Sequence, residues 1–202
     1  MLEVLEQVYR EALQSGERRL LTIAMDGSLE AAAGSLSEIL GRASGARVLY
    51  CSDSEDGLLR GAPLVRDLLE GCAELTLLDF DMSEEAMGGT WDVLLADFSR
   101  QMRANDIGRL VETVRGGGII VFTLPPLSRW MKTYTRFQYK LASPPYRLED
   151  VRQRFKERFI RSHGMSGINL YAPQDGVEMI NRRRVDYRQP RFMEVEWGRR
   201  SI

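Results

Sequence analysis

The apolar positions of this chain follow two periods. In residues 2 to 14, LEVLEQVYREALQ, Leu2, Leu5, Val8 (or Tyr9) and Ala12 share one helical face, and Ser15-Gly16 ends it. RRLLTIAM is then a short apolar run of strand length. Ser28 is placed to N-cap an amphipathic helix, LEAAAGSLSEILGRA, that runs out near Gly45. RVLYCSD reads as a second buried strand, and Pro63 suits the first turn of a helix over 63 to 70. ELTLLDFD and WDVLLADFS are a third and fourth strand, with room between them for about two helical turns in MSEEAMGGT. A helix over 105 to 115 leads to a fifth strand, GIIVFTL. Buried runs alternating with helices predict an α/β fold, a mainly parallel sheet of about five strands with helices on both faces.

After Leu124 the pattern changes. Pro125-Pro126 ends the sheet and a basic, aromatic-rich sequence follows, with a further boundary at Pro144-Pro145. RLEDVRQRFKERFIRS is strongly amphipathic: Val151, Phe155 and Phe159 fall on one side, flanked by Arg152, Lys156 and Arg158. GINLYA and VEMINRRRVDYR read as a terminal hairpin or irregular arm. The expected division is an α/β domain over residues 1–127 and a basic helical and hairpin appendage over 128–202 packed on it.

The length, 202 residues, supports a core without disulfides or metals. Cys51 and Cys72 lie among apolar residues without metal-ligand spacing, and no run resembles a signal peptide or a spanning helix. The expectation is a soluble cytoplasmic protein with no membrane association. The net charge of −1 hides an asymmetry: residues 1 to 100 hold 8 Lys+Arg against 19 Asp+Glu, and residues 101 to 202 hold 20 against 10. Such halves either dock on each other or leave the basic one to a polyanion.

Gly116, Gly117 and Gly118 precede a strand, whereas a dinucleotide fingerprint needs glycines between a strand and a helix. They are read as ending the helix at Arg115 and returning the chain to the sheet. The first strand ends in Asp26-Gly27-Ser28, where doubly wound folds bind nucleotides, without a glycine-rich phosphate motif. Asp53 supplies the acid that an S-adenosylmethionine site would want after the second strand, but the loop is missing. Asp79, Asp81, Asp92 and Asp97 near strand ends lack a second residue type to complete a mechanism. His163 is read as a helix cap, and because it is the single histidine the count excludes a histidine-based metal site. No catalytic residue is assigned. Trp130, read as exposed, Tyr134, Phe137, Tyr139 and Tyr146 interleave with Arg129, Lys132, Arg136, Lys140 and Arg147, a mixture suited to phosphates and unstacked bases. The competing reading makes several aromatics core and the arginines a solvated face or a dock for the acidic half.

NDIGRLVETVRGGGIIVFTLPPLSRW, TRFQYKLASPPYRLEDVRQRFKERFIR and HGMSGINLY, over about residues 105 to 171, resemble the N-terminal domain of archaeal-type tRNA(Met) cytidine acetyltransferases. ERRLLTIA, VLYCSD and GTWDVLLADFS fit the same domain more loosely. The resemblance implies a Rossmann-like domain ahead of an ATPase module and an acetyltransferase module, which together use acetyl-CoA and ATP to make N4-acetylcytidine in RNA. This chain carries no Walker lysine and no acetyl-CoA segment, so no catalytic residue and no cofactor transfers to it. The implied role is a non-catalytic domain, or a stand-alone homologue, that contacts tRNA or other structured RNA and docks to catalytic modules in cis or in trans. The expected RNA-facing set is Arg129, Trp130, Lys132, Arg136, Lys140 and Arg147, with phosphate contacts from Arg152, Lys156, Arg182, Arg183 and Arg184. The alternatives are a protein-interaction scaffold and an S-adenosylmethionine or nucleotide-binding enzyme.

Overall fold

Strands with apolar residues on both sides need cover on both faces, and the chain supplies it. The computed structural model describes residues 1–42, 45–55, 58–163, 165 and 167–180. In chain order these form α1 (Leu2–Ser15), β1 (Arg19–Ala24), α2 (Ser28–Leu40), β2 (Ala46–Ser52), a small pair β3 (Ser54–Glu55) and β4 (Leu58–Leu59), α3 (Ala62–Leu69) and β5 (Ala73–Asp79). A 3-10 helix (Phe80–Ala86), β6 (Trp91–Asp97), α4 (Ala104–Val111) and β7 (Val114–Leu124) follow. The long connection after β7 holds α5 (Leu127–Trp130), α6 (Arg136–Leu141), a 3-10 turn (Leu148–Asp150) and α7 (Arg154–Ser162), before β8 (Ile168–Ala172) and β9 (Val177–Met179).

The main sheet has seven strands in the order β5-β2-β6-β7-β1-β8-β9. All neighbours pair in parallel except β8 and β9, which form the expected terminal hairpin. The α/β reading and the parallel sheet stand, with seven strands rather than about five. The two extra strands come from beyond residue 127, so the sheet spans the expected domain division. Side-chain alternation sorts the core into two layers. Leu21, Ile23, Val48, Tyr50, Val93, Leu95, Ile119 and Val121 meet α1, α2 and α3 on one face. Leu49, Cys51, Leu94, Ala96, Ile120, Phe122 and Leu124 meet Phe80, Leu110 and Trp130 on the other.

Two local expectations change. Gly27, not Ser28, is the N-cap of α2, with φ +66, and no side chain caps that end. The helix before β7 stops at Val111, and the three glycines lie inside β7. There Trp91 pairs with Val114 and Val93 with Ile119, so Asp92 alone stands opposite Arg115 to Gly118. This bulge carries β7 past the end of α1. A Cβ on Gly116 would meet the Gly16 carbonyl oxygen at 2.7 Å, and one on Gly118 the Asp92 carbonyl oxygen at 2.6 Å. The glycines permit close backbone approach, and Gly117 also takes φ +78.

Candidate nucleic-acid interface

The basic segment is held to the sheet by contacts its sequence does not advertise. Asp175, beyond β8, accepts hydrogen bonds from the Leu127 and Ser128 amides at 2.7 and 3.0 Å and so caps α5 after β7. This turns Trp130 inward. Its side chain is wholly buried, edge-on to Phe159 at 6.1 Å between ring centres. The exposed, base-stacking role expected of Trp130 is therefore corrected: the indole is core. Lys156 is corrected with it. Its ammonium is buried, donates to the carbonyl oxygens of Trp130 and Thr133 at 2.7 Å each, and lies 4.7 Å from the Trp130 ring centre. Burial pushes its pKa down to about 8. Its donors are committed to these carbonyls rather than offered to a phosphate.

His163 sits at the C-cap of α7, as expected, but as a neutral imidazole rather than a cation, because burial lowers its pKa. The Phe159 carbonyl can only accept, so Nδ1 donates to it at 2.9 Å, and Nε2 then accepts from the Thr22 hydroxyl at 2.8 Å.

Further out, Thr135 and Gln138 close a capping box on α6, and the Gln138 amide reaches Gln153 at 2.9 Å. Gln153 donates to the Thr133 carbonyl. α6 is thereby tied to the approach to α7, and the Phe137 amide is anchored on the Gln101 side chain.

The cations divide into two groups. Arg129 pairs with Asp26, and Arg136 donates to the Ser54 carbonyl at 2.7 Å and stands 3.8 Å from Asp53. These two dock on the acidic half. Lys132, Lys140, Arg147 and Arg152 are exposed and have no ion-pair partner among the described residues. Arg154, Arg158 and Arg161 share that condition and were left out of the expected set. Their i, i+4, i+7 spacing on one helical face was the signal that could have found them. Arg182, Arg183 and Arg184 lie outside the described residues.

The acids of the sheet are mostly committed. Asp79 caps the 3-10 helix, Asp81 pairs with Arg103, Asp92 with Arg115, and Asp97 accepts from the Ser99 amide and hydroxyl and the Thr123 hydroxyl. Asp53 differs: both carboxylate oxygens are buried without a hydrogen bond, and burial raises its pKa. The end of β1 is bridged by the chain itself. Asp26 accepts from Arg129 and Gln174, which hold its carboxyl below the usual range, and its amide donates to Gln174. Among the described residues no group of three or more His, Cys, Asp or Glu is placed to hold a metal ion, and no helix is long and apolar enough to cross a membrane.

Comparison with known proteins agrees with this fold and segment. Residues 1–171 match the family model described as tRNA(Met) cytidine acetyltransferase TmcA, N-terminal. The tRNA(Met) cytidine acetyltransferase TmcA of Methanopyrus kandleri is 41% identical over 177 residues, covering 80% of this chain and 21% of the relative. That of Thermococcus kodakarensis is 32% identical over 206 residues, covering 89% and 24%, and that of Pyrococcus abyssi is 44% identical over 89 residues, covering 44% and 11%. The chain thus spans at most about a quarter of these relatives' length. On the match over residues 1–171, which takes in most of its length, the chain belongs to the family of TmcA N-terminal domains.

Proposed function

We propose that this chain is the RNA-docking domain of a tRNA cytidine acetyltransferase system that makes N4-acetylcytidine, working in the cytoplasm. It carries no catalytic group of its own and serves acetyl-CoA- and ATP-using modules in cis or in trans. One observation carries the reading: seven exposed cations, Lys132, Lys140, Arg147, Arg152, Arg154, Arg158 and Arg161, lie between β7 and β8 without an ion-pair partner among the described residues. Other arginines of the same fold do have acid partners, as in Arg18–Glu112, Arg103–Asp106 and Arg109–Glu84, and the seven cations outnumber the three exposed acids of their own segment, Glu149, Asp150 and Glu157. Free like charges held together repel one another, and a phosphate backbone relieves that repulsion by exchanging condensed counterions for fixed ones.

The test is fluorescence anisotropy of labelled tRNA against the full chain over a salt series. If most of the seven engage, log affinity against log salt falls with a slope of roughly −4 to −6, at about 0.7 to 0.9 per phosphate contact. Lys132→Glu, Arg152→Glu and Arg158→Glu together should abolish binding while leaving the melting temperature near wild type. No binding at low salt, or binding indifferent to salt, overturns the reading and assigns the basic face to a protein module.

A further inference from the structure

Between α4, α6 and α7 lies a cleft of ≈ 250 Å³ walled by Met102, Phe137, Leu141, Val151 and Phe155. Phe137 and Phe155 are 40% and 39% exposed, and neither ring contacts another aromatic among the described residues. We infer that this cleft receives one unpaired nucleobase of the bound RNA, stacked against Phe137 or Phe155, while its phosphate meets Arg152. The inference rests on the docking reading and adds to it the class of RNA: strands with a splayed-out base rather than continuous duplex.

Charge selects the occupant. Arg152 lines the cleft, and Lys140 and Arg154 adjoin lining residues in sequence; all three are exposed and lack an ion-pair partner among the described residues. An aromatic floor with a cationic rim matches a base and its phosphate, the pairing by which single strands are held.

The cleft's polar groups also say how the base is read. Thr135 and Gln138 are used in the capping box and on Gln153. Arg103 is held by Asp106, Asp81 and the Phe80 carbonyl. Lys156 is held by two carbonyls and a ring. Arg152 alone among these lining polar side chains has no hydrogen-bond or ion-pair partner among the described residues. A site with stacking faces and one mobile cation accepts any base, so binding is indifferent to sequence and sensitive to pairing.

The experiment uses a short single-stranded oligoribonucleotide carrying 2-aminopurine, and the same strand annealed to its complement. On the wild-type chain the single strand should bind tighter than the duplex, with 2-aminopurine quenched by stacking. Phe155→Ala should weaken the single strand by roughly 5- to 100-fold, leaving duplex affinity and the salt slope unchanged. Phe137→Ala, which removes the other exposed ring of the cleft without changing charge, tests the opposite wall in the same way. Unchanged single-strand affinity in both variants, or 2-aminopurine fluorescence that stays at its free value, overturns the inference. With tRNA still bound in a salt-dependent way, either result leaves the docking reading standing and moves the cleft to a protein side chain. If neither RNA binds at low salt, the docking reading itself falls.

Discussion

The Lys156 nitrogen lies 4.7 Å from the centre of the Trp130 ring and 2.7 Å from the Trp130 carbonyl oxygen, so one ammonium grips both the side chain and the backbone of one residue. Lys156→Ala leaves the Trp130 and Thr133 carbonyls without their donor and empties a buried volume, at a cost of about 2–4 kcal/mol. The pH dependence has a defined sign. The folded pKa, about 8, lies below the ordinary value of 10.5, so between those pH values the unfolded chain holds more protons. The penalty of burying the charge is complete below pH 8, and stability rises with pH from about 8 to 10.5. Urea midpoints from pH 7 to 10 should show this rise, and Lys156→Met should flatten it.

His163 carries the same sign at the acid end. Its folded pKa is lowered from 6.5 by burial, so the unfolded chain takes up the proton first as pH falls. The contribution is intact above pH 6.5 and lost progressively below it. Urea midpoints at pH 7 and pH 5.5 should differ less in His163→Phe than in wild type.

Asp53 has no hydrogen bond for either oxygen, and Arg136 at 3.8 Å is a loose partner. Its raised pKa means the folded state holds the proton more tightly than the unfolded chain. The ionised form is therefore a cost at neutral pH that is relieved as pH falls through the folded pKa. Asp53→Asn should stabilise the fold by about 1 kcal/mol at pH 7.5, and the gain should shrink in thermal melts at lower pH.

The glycines give a paired test. Gly118→Ala drives a methyl into the Asp92 carbonyl and the Val114 side chain, each 2.6 Å away, and should cost about 1–3 kcal/mol. Gly34→Ala, within α2 and with nothing within 4 Å, should stabilise by up to about 1 kcal/mol. Calorimetry of the two variants should shift in opposite directions.

The five strands β1, β2, β5, β6 and β7 were legible because each carries a run of apolar residues, and such runs leave little else to be. The sequence of β8 and β9 reads equally as a hairpin or an irregular arm, and not as an extension of the sheet. Ile168 and Tyr171 are only half-buried, and whether they join β1 depends on a pairing about 150 residues back along the chain. Trp130 was misjudged because an aromatic between Arg129 and Lys132 looks alike exposed or buried. Its burial is decided by Phe159 and Lys156 on a helix not yet formed at that point in the chain. Lys156 was misjudged for the same reason, since a long stem lets an ammonium reach inward as readily as outward. The cationic face was legible as composition, but its freedom from ion pairs was not, because partners come from elsewhere in the fold.

A parallel crossover needs only about a dozen residues, and α7 with its lead into β8 supplies them. Between Lys132 and Gln153 no hydrophobic side chain is fully buried, and the Trp130–Lys156 clasp closes the base of that excursion. What lies beyond the clasp is spare as far as the sheet's threading is concerned. Insertions, deletions or exchanges there meet chiefly a loop-closure cost, about 0.6 kcal/mol for each doubling of length. The clasp thus separates what threads the sheet from what hangs on it, so the excursion can be altered without the fold having to be rebuilt.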